Sequence, residues 1–499
     1  MADFKLPPLL THAPEADPPR QWRVLLLPAC LAILGMLIAW AAVTTGQDDR
    51  RARDWAQLNY NHIYWDAELN RAKVEGAPPE KIAELEAIAA KHPWPKNVIS
   101  YARYGRQFTS WDGYRYEEIV EQGYTYHQPN APPREKDSSL MQPASQGGEP
   151  RQKNVVWYPL YPVLGWIVSK TLQLPAVHAL TVVSWTCTLL AAVVMFRFAQ
   201  RHYYNRMPSL DIETEEAMAL ENHPARRWDL SPQDTAALIA VAAVLFGPCS
   251  VFLYANFTES VFLLLLSMFM TCIQLRWWWR AALVAAIASS CRSQGVLFGP
   301  ILALCYLLRT DDPSAARKLG TATVLGFISA IGLMCYMVFL YSKFGDPLAF
   351  MHAQKYWNVG INMERLGYAL NPINAMTRVM YYAFYSGPVD WPRLWEALCL
   401  IWPPVVLLIL GGRYLSFELE IMGWILWGLP YISNSLAGNP PMDTQWMSMG
   451  RFMAVMLPAH IIVGAVLVRL RWLAVAFLVL GASAFAVFCV KFGNGAWVG

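Results

Sequence analysis

Charge is what this sequence has too little of. Only 15% of its 499 residues are Asp, Glu, Lys or Arg, whereas 55% are hydrophobic and the mean hydropathy is +0.26. A soluble domain carries about 25% charged residues, because a water-facing surface is built from them. An ordinary cytosolic enzyme, a disordered chain and a small disulfide scaffold are thereby excluded. A formal net charge of +4 is too slight to imply a nucleic-acid partner. Cysteine provides no framework either. All nine (residues 30, 187, 249, 272, 291, 305, 335, 399 and 489) lie in or at the ends of apolar segments, and no CxxC occurs. They read as small buried hydrophobes, with no support for a disulfide or metal set. Also missing are a P-loop, GxGxxG, HExxH and GxSxG, so soluble nucleotide chemistry lacks its phosphate cradle.

What is abundant is uncharged, helix-length sequence. Residues 24–43 and 319–342 contain no charge, and further apolar runs occupy 177–196, 236–257, 260–275, 398–412, 421–442, 452–468 and 472–490. Two shorter pieces, 281–291 and 294–308, flank Arg292. A bilayer core of about 30 Å takes about 20 such residues as a helix, because backbone polar groups in lipid must be satisfied within the segment. The expectation is an all-α polytopic membrane protein with about 11 spans. The first run is too long and too late for a cleaved signal peptide, so it stays as an anchor.

Orientation follows from the basic loops, which remain cytoplasmic. Arg197, Arg201, Arg206, Arg226 and Arg227 form one cluster; Arg276 and Arg280 a second; Arg309, Arg317 and Lys318 a third; Arg469 and Arg471 a fourth. With all four inside, residues 256–259, 292–294, 344–396 and 438–450 face outside. Parity then requires 158–174, short and containing Pro159 and Pro162, to be re-entrant or to lie along the membrane. The resulting division is a cytoplasmic tail (1–22), a first transmembrane helix (23–45), and a large extracytoplasmic loop with short helices at 79–91 and 114–122 (46–156). A membrane bundle (157–343), a second external region with interfacial helices (344–396) and C-terminal membrane helices (397–499) follow. The Pro/Ser/Gln/Gly-rich stretch 127–153 reads as a flexible insertion. No internal repeat is evident, which weakens an inverted-repeat transporter reading.

Five motifs on the external side could carry chemistry. In FTSWDGYRYEEIVEQGYTY, Asp112 is either the N-cap of a short helix or a general base able to take a proton from a sugar hydroxyl. Glu259 in ANFTES is a polar break in an uncharged stretch, either capping a helix or serving a site. Asn256 begins a glycosylation sequon there, too close to the membrane to be a good acceptor. Arg292 in CRSQG pairs either with an acid such as Glu259 or with a lipid phosphate. KFGDPLAFMHAQKYW gathers His352, Lys355 and Trp357, which anchor at the interface or bind an anion. Arg451 in SMGRFMAVMLP either snorkels or holds substrate.

In this order, these motifs resemble the second mannosyltransferase of glycosylphosphatidylinositol-anchor assembly and its bacterial relatives, in the GT-C glycosyltransferase superfamily. The resemblance is carried by Trp111-Asp112 with Gly123-Tyr124, Tyr158-Pro159-Leu160-Tyr161-Pro162, Thr258-Glu259-Ser260, Arg292-Ser293-Gln294-Gly295, Gly345-Asp346-Pro347-Leu348-Ala349-Phe350 with His352-Ala353-Gln354 and Trp357, and Arg451-Phe452 before Leu457-Pro458. It implies an inverting transferase that uses a polyprenyl-phosphate-linked sugar, commonly mannose, with Asp112 as base. Trp111, Tyr158, Tyr161, Glu259, Arg292, His352, Lys355, Trp357 and Arg451 are the expected substrate contacts. The chain departs from the family in its 127–153 insertion, in Tyr158 heading the Pro-Leu-Tyr-Pro motif, and in Gln294 where Asn is frequent. No cofactor is firmly implied, and metal dependence, acceptor (lipid or glycan) and oligomeric state stay open. The site would be extracytoplasmic, in a bacterial inner membrane or an endoplasmic reticulum membrane. The competing readings are a transporter or lipid flippase, and a GT-C enzyme with a protein acceptor.

Overall fold

The computed structural model describes residues 22–74, 76–91, 107–126, 154–206, 230–311, 313–354, 402–436 and 449–495. Among them the chain is helical, with no strand. Three helices are long and apolar enough to cross a membrane, or five if each of two bent pairs counts as one span. This is a helical membrane protein.

Helix α1 (Leu26–Val74) crosses with Leu26–Gln47 and then runs on, about 74 Å in all at 1.5 Å per residue. The sequence-based boundary at residue 45 therefore falls inside a continuous helix. No Gly or Pro occurs between Gln47 and Val74, so nothing in the polar half breaks it. Helix α2 (Pro79–Lys91), at its expected place, folds back on α1 with Lys73 paired to Glu86 at 2.7 Å. Helix α3 is Asp112–Gln122. Helix α4 (Leu160–Leu172) is only 13 residues long. At about 20 Å it is shorter than a hydrocarbon core.

Helix α5 (Ala176–Arg206) is the central column, and it packs on α1, α4 and the helices that follow. The run 236–257, read from sequence as one span, is broken into α6 (Pro232–Leu245) and α7 (Val251–Tyr254), bent by 68° at Gly247-Pro248. Ser231 and Asp234 close a capping box on α6. Helices α8 (Glu259–Gln274), α9 (Trp278–Ser289), α10 (Ser293–Val296) and α11 (Phe298–Arg309) follow, with the expected break at Arg292. The run 319–342 is also two helices, α12 (Ala315–Ser329) and α13 (Ile331–Phe344), bent by 46°. There Leu333 N–H donates to Ser289 Oγ of α9 at 3.0 Å, a side chain inserted at the bend. The rest is α14 (Ala349–His352), α15 (Trp402–Gly411), α16 (Phe417–Leu436), α17 (Met449–Met453), α18 (Leu457–Leu467) and α19 (Arg471–Gly493).

Apolar side chains cover the outside as well as the core. On α19, Trp472, Leu473, Val475, Val479, Leu480 and Val487 are all more than half exposed, a face suited to lipid and not to water. At one end of the bundle Arg309 pairs with Glu418 at 2.6 Å, while Arg206 and His202 bond the carbonyls of Leu415 and Tyr414. Asp112, Glu259 and Arg292 gather elsewhere, at the N-termini of α3, α8 and α10, and are joined there by Arg451 of α17.

Candidate functional site

The site begins with a helix that stops inside the protein. Helix α7 ends at Tyr254 and α8 starts at Glu259, so the intervening backbone must find partners away from water. Helix α5 supplies them from one face. Thr188 Oγ1 donates to Leu253 O (2.6 Å), Trp185 Nε1 to Tyr254 O (3.0 Å) and Ser184 Oγ to Ala255 O (2.8 Å). One turn further on, Thr181 Oγ1 donates to Asn256 Oδ1 at 2.8 Å. This ladder keeps the break open and delivers Glu259, fully buried, to the end of the bundle.

Glu259 meets two arginines there. Arg292 Nη1 lies 2.9 Å and Arg451 Nε 2.6 Å from the same oxygen, Oε1. Neither contact is aligned as a hydrogen bond, and Oε2 is enclosed without a donor among the described residues. Arg451 also donates through Nη1 to Asp112 Oδ2. Residues 339 positions apart are thereby joined directly, in the order Asp112, Arg451, Glu259, Arg292. The two guanidiniums flank Phe452, with Arg292 4.7 Å and Arg451 5.5 Å from the ring centroid, and Phe257 and Phe262 complete the aromatic walls. Gly295 lets this corner close, because a Cβ would come within 2.0 Å of Ala288 O.

Asp112 is the open member of the four. Its side chain is 29% exposed, against 11% for Arg451, 6% for Arg292 and 0% for Glu259. It does not cap α3. Trp111 occupies the N-cap position with no side-chain cap bond, and Asp112 is the first helical residue. Trp111 holds φ 46° and ψ −110°, unfavourable for a bulky residue, with its ring edge-on to Phe492 at 5.6 Å. Below Asp112, burial and then the Asp112 charge push the Tyr116 phenol well above its ordinary range, so it stays protonated. Two carboxylates face two guanidiniums, and the local charge sums to zero.

No protein-family model, curated protein or solved structure matches the chain. The site is therefore read from its own geometry.

The other expected contacts are placed differently. Tyr161 is fully buried; its ring packs edge-on to Tyr116 at 5.0 Å and its hydroxyl is committed to Leu180 O and Ser184 Oγ. It is a packing residue beneath the site. Tyr158 and His352 belong to a second cluster. There Asp346 accepts from His352 Nδ1 (2.8 Å), Tyr126 OH (3.0 Å) and Leu348 N–H (3.0 Å), beside Tyr158, Tyr336 and Phe350. Partial burial raises the Asp346 carboxyl, but these three hydrogen bonds outweigh it and hold the group below the usual carboxylate value. Burial pushes the Tyr158 phenol up to about 12. Lys355 and Trp357 lie outside the described residues. Among the described residues, no three His, Cys, Asp or Glu side chains are grouped to hold a metal ion.

Sequence reasoning passed over two features. One is the α5 ladder, whose polar residues 181, 184, 185 and 188 share one helical face in an otherwise apolar run. The other is the set of partners of Asn256, which read as a sequon within a polar break; it is fully buried with every side-chain polar atom bonded.

Proposed function

We propose that the protein is an inverting GT-C-type glycosyltransferase that moves a sugar, mannose in the first instance, from a polyprenyl-phosphate carrier to a lipid or glycan acceptor. The observation that carries this reading is the carboxylate of Asp112, held through Oδ2 by a buried arginine and still open to solvent. The ordered sequence motifs support it independently.

The chemistry needs one base and a counter-charge for a leaving phosphate. Asp112 accepts the acceptor hydroxyl proton, and the freed oxygen attacks the anomeric carbon from the face opposite the phosphate. The carbon–oxygen bond to phosphate breaks, with its electron pair going to the phosphate. As Asp112 takes the proton, the four-residue cluster changes from neutral to net positive while the phosphate gains charge. The two arginines, pre-oriented by Glu259, are then an electrostatic complement to the transition state. Because they are already in place, no reorganisation accompanies the step.

The proposed topology has about 11 spans, with residues 158–174 re-entrant or along the membrane and the site extracytoplasmic. In its support, two of the segments that the basic loops assign to the outside hold Glu259 and Arg292, Arg451 lies one residue beyond the fourth, and all three gather with Asp112. Arg206 and Arg309, assigned inside, both reach the 414–418 connection. Purified protein in nanodiscs, given radiolabelled polyprenyl-phosphate mannose and a lipid extract, should yield labelled product of inverted anomeric configuration. Carrier-bound sugar left intact across mannose, glucose and arabinose donors would refute the reading.

A further inference from the structure

Asn256 is the point where the Asp112 segment is fastened to the membrane bundle. Its Nδ2 donates to Thr109 Oγ1 at 2.6 Å and to Val177 O at 3.1 Å, and its Oδ1 accepts from Thr181 Oγ1 at 2.8 Å. Its backbone N–H donates to Phe108 O at 2.9 Å. Two of these bonds grip residues 108–109 and two grip the first turns of α5. The whole residue is enclosed, as are Thr109 and Phe108 to within 2%. Phe108 is further pinned by Trp185 of the α5 ladder, edge-on at 5.5 Å. From Thr109 the chain turns at once into α3, with Gly113 N–H bonded to Ser110 O at 2.8 Å. The same turn that presents Glu259 to the arginines therefore also fixes the loop that presents Asp112 to Arg451.

We infer that Asn256 is a positioning residue, acting through Thr109 to hold the Asp112 carboxylate in register with the arginine pair. This rests on the reading of Asp112 as the base. A carboxamide suits the task because it both donates and accepts: an aspartate would set an acceptor against Val177 O, and an aliphatic residue would lose all three side-chain bonds, the one to Thr109 included. The effect belongs in turnover and not in donor binding, since a misplacement of about 1 Å at a reacting group costs on the order of a hundredfold in rate.

Asn256→Ala invites misfolding, so the test uses its partner. Thr109→Val removes only the hydroxyl that Asn256 reaches and keeps the shape, while Thr109→Ser restores the hydroxyl. Thr109→Val should lower kcat by roughly ten- to a hundredfold in folded protein of lowered melting temperature, with donor KM near wild type, and Thr109→Ser should recover both kcat and melting temperature. Amide hydrogen exchange at Gly113 and Tyr114 should quicken in the valine variant alone. An unchanged kcat overturns the inference, whatever the exchange, as does a loss that serine does not rescue. If wild type transfers no sugar, or Asp112→Asn transfers as well as wild type, the functional reading fails. In that event the exchange measurement still decides the clamp: faster exchange keeps Asn256 as the fastener of the Asp112 loop, and unaltered exchange removes it.

Discussion

Glu259 should be the most expensive charge to remove from this protein. It is fully buried, and two guanidiniums reach one of its oxygens at 2.9 and 2.6 Å. Glu259→Gln leaves Arg292 with no acid among the described residues, whereas Arg451 keeps Asp112. Stranding one member of a buried pair costs about 3–5 kcal/mol. Arg292→Met is milder, because Glu259 retains Arg451 and no charge is left unpaired; losing one of two ion-pair contacts should cost about 1–3 kcal/mol, less than stranding a charge. The double variant removes both charges together and should cost no more than Glu259→Gln alone. The resulting coupling energy is about 1–3 kcal/mol. Unfolding in bicelles followed by circular dichroism measures all four corners of the cycle. Additivity to within about 0.5 kcal/mol, or an Arg292→Met variant as unstable as Glu259→Gln, would refute the argument.

The second cluster makes a pH prediction. The folded-state value of Asp346 is lowered, so the stability its ionised form contributes is complete above the ordinary carboxylate value of about 3.9 and is lost as pH falls through the lower folded value. Asp346→Asn should thus differ from wild type in melting temperature at pH 6, with the gap closing below that range; a gap independent of pH contradicts the assignment. Topology is checked by single cysteines in a background lacking the native ones. Labels at positions 209 and 314 should be shielded from impermeant external reagents, and labels at 138 and 439 should react. Labelling at 209 from outside would make 158–174 a true span.

Much of the molecule was legible from composition, and the exceptions have physical causes. Scarcity of charge and the apolar runs gave a helical membrane protein. The basic loops put Glu259, Arg292 and Arg451 on one side, where they meet Asp112. Of the alternatives open at Arg292, the structure contains the pairing with Glu259. What one-dimensional pattern does not carry is which arginine reaches which acid across hundreds of residues. Arg451 read either as a snorkelling interfacial residue or as a substrate contact; it is buried and bridges both acids. Tyr161 read as a substrate contact because its motif did, yet burial and two hydroxyl contacts make it packing. Other signals were present and passed over: the Gly247-Pro248 break, and the absence of any Gly or Pro between Gln47 and Val74. The α12–α13 bend carried only a lone Gly332, whose missing Cβ lets α9 and Ser289 approach; that approach from another helix is not visible in one dimension.

The central claim is that the Asp112 carboxylate does chemistry that a neutral isostere cannot. Asp112 makes no cap bond, its side chain is the most exposed of the four, and Arg451 would still have Glu259, so Asp112→Asn should fold and insert normally. Its transfer of labelled mannose from a polyprenyl-phosphate donor, measured beside wild type on purified protein, is the most direct test. The account predicts a loss of about 10²–10⁴-fold in turnover with an unchanged melting temperature. Wild-type transfer by the folded variant would contradict it.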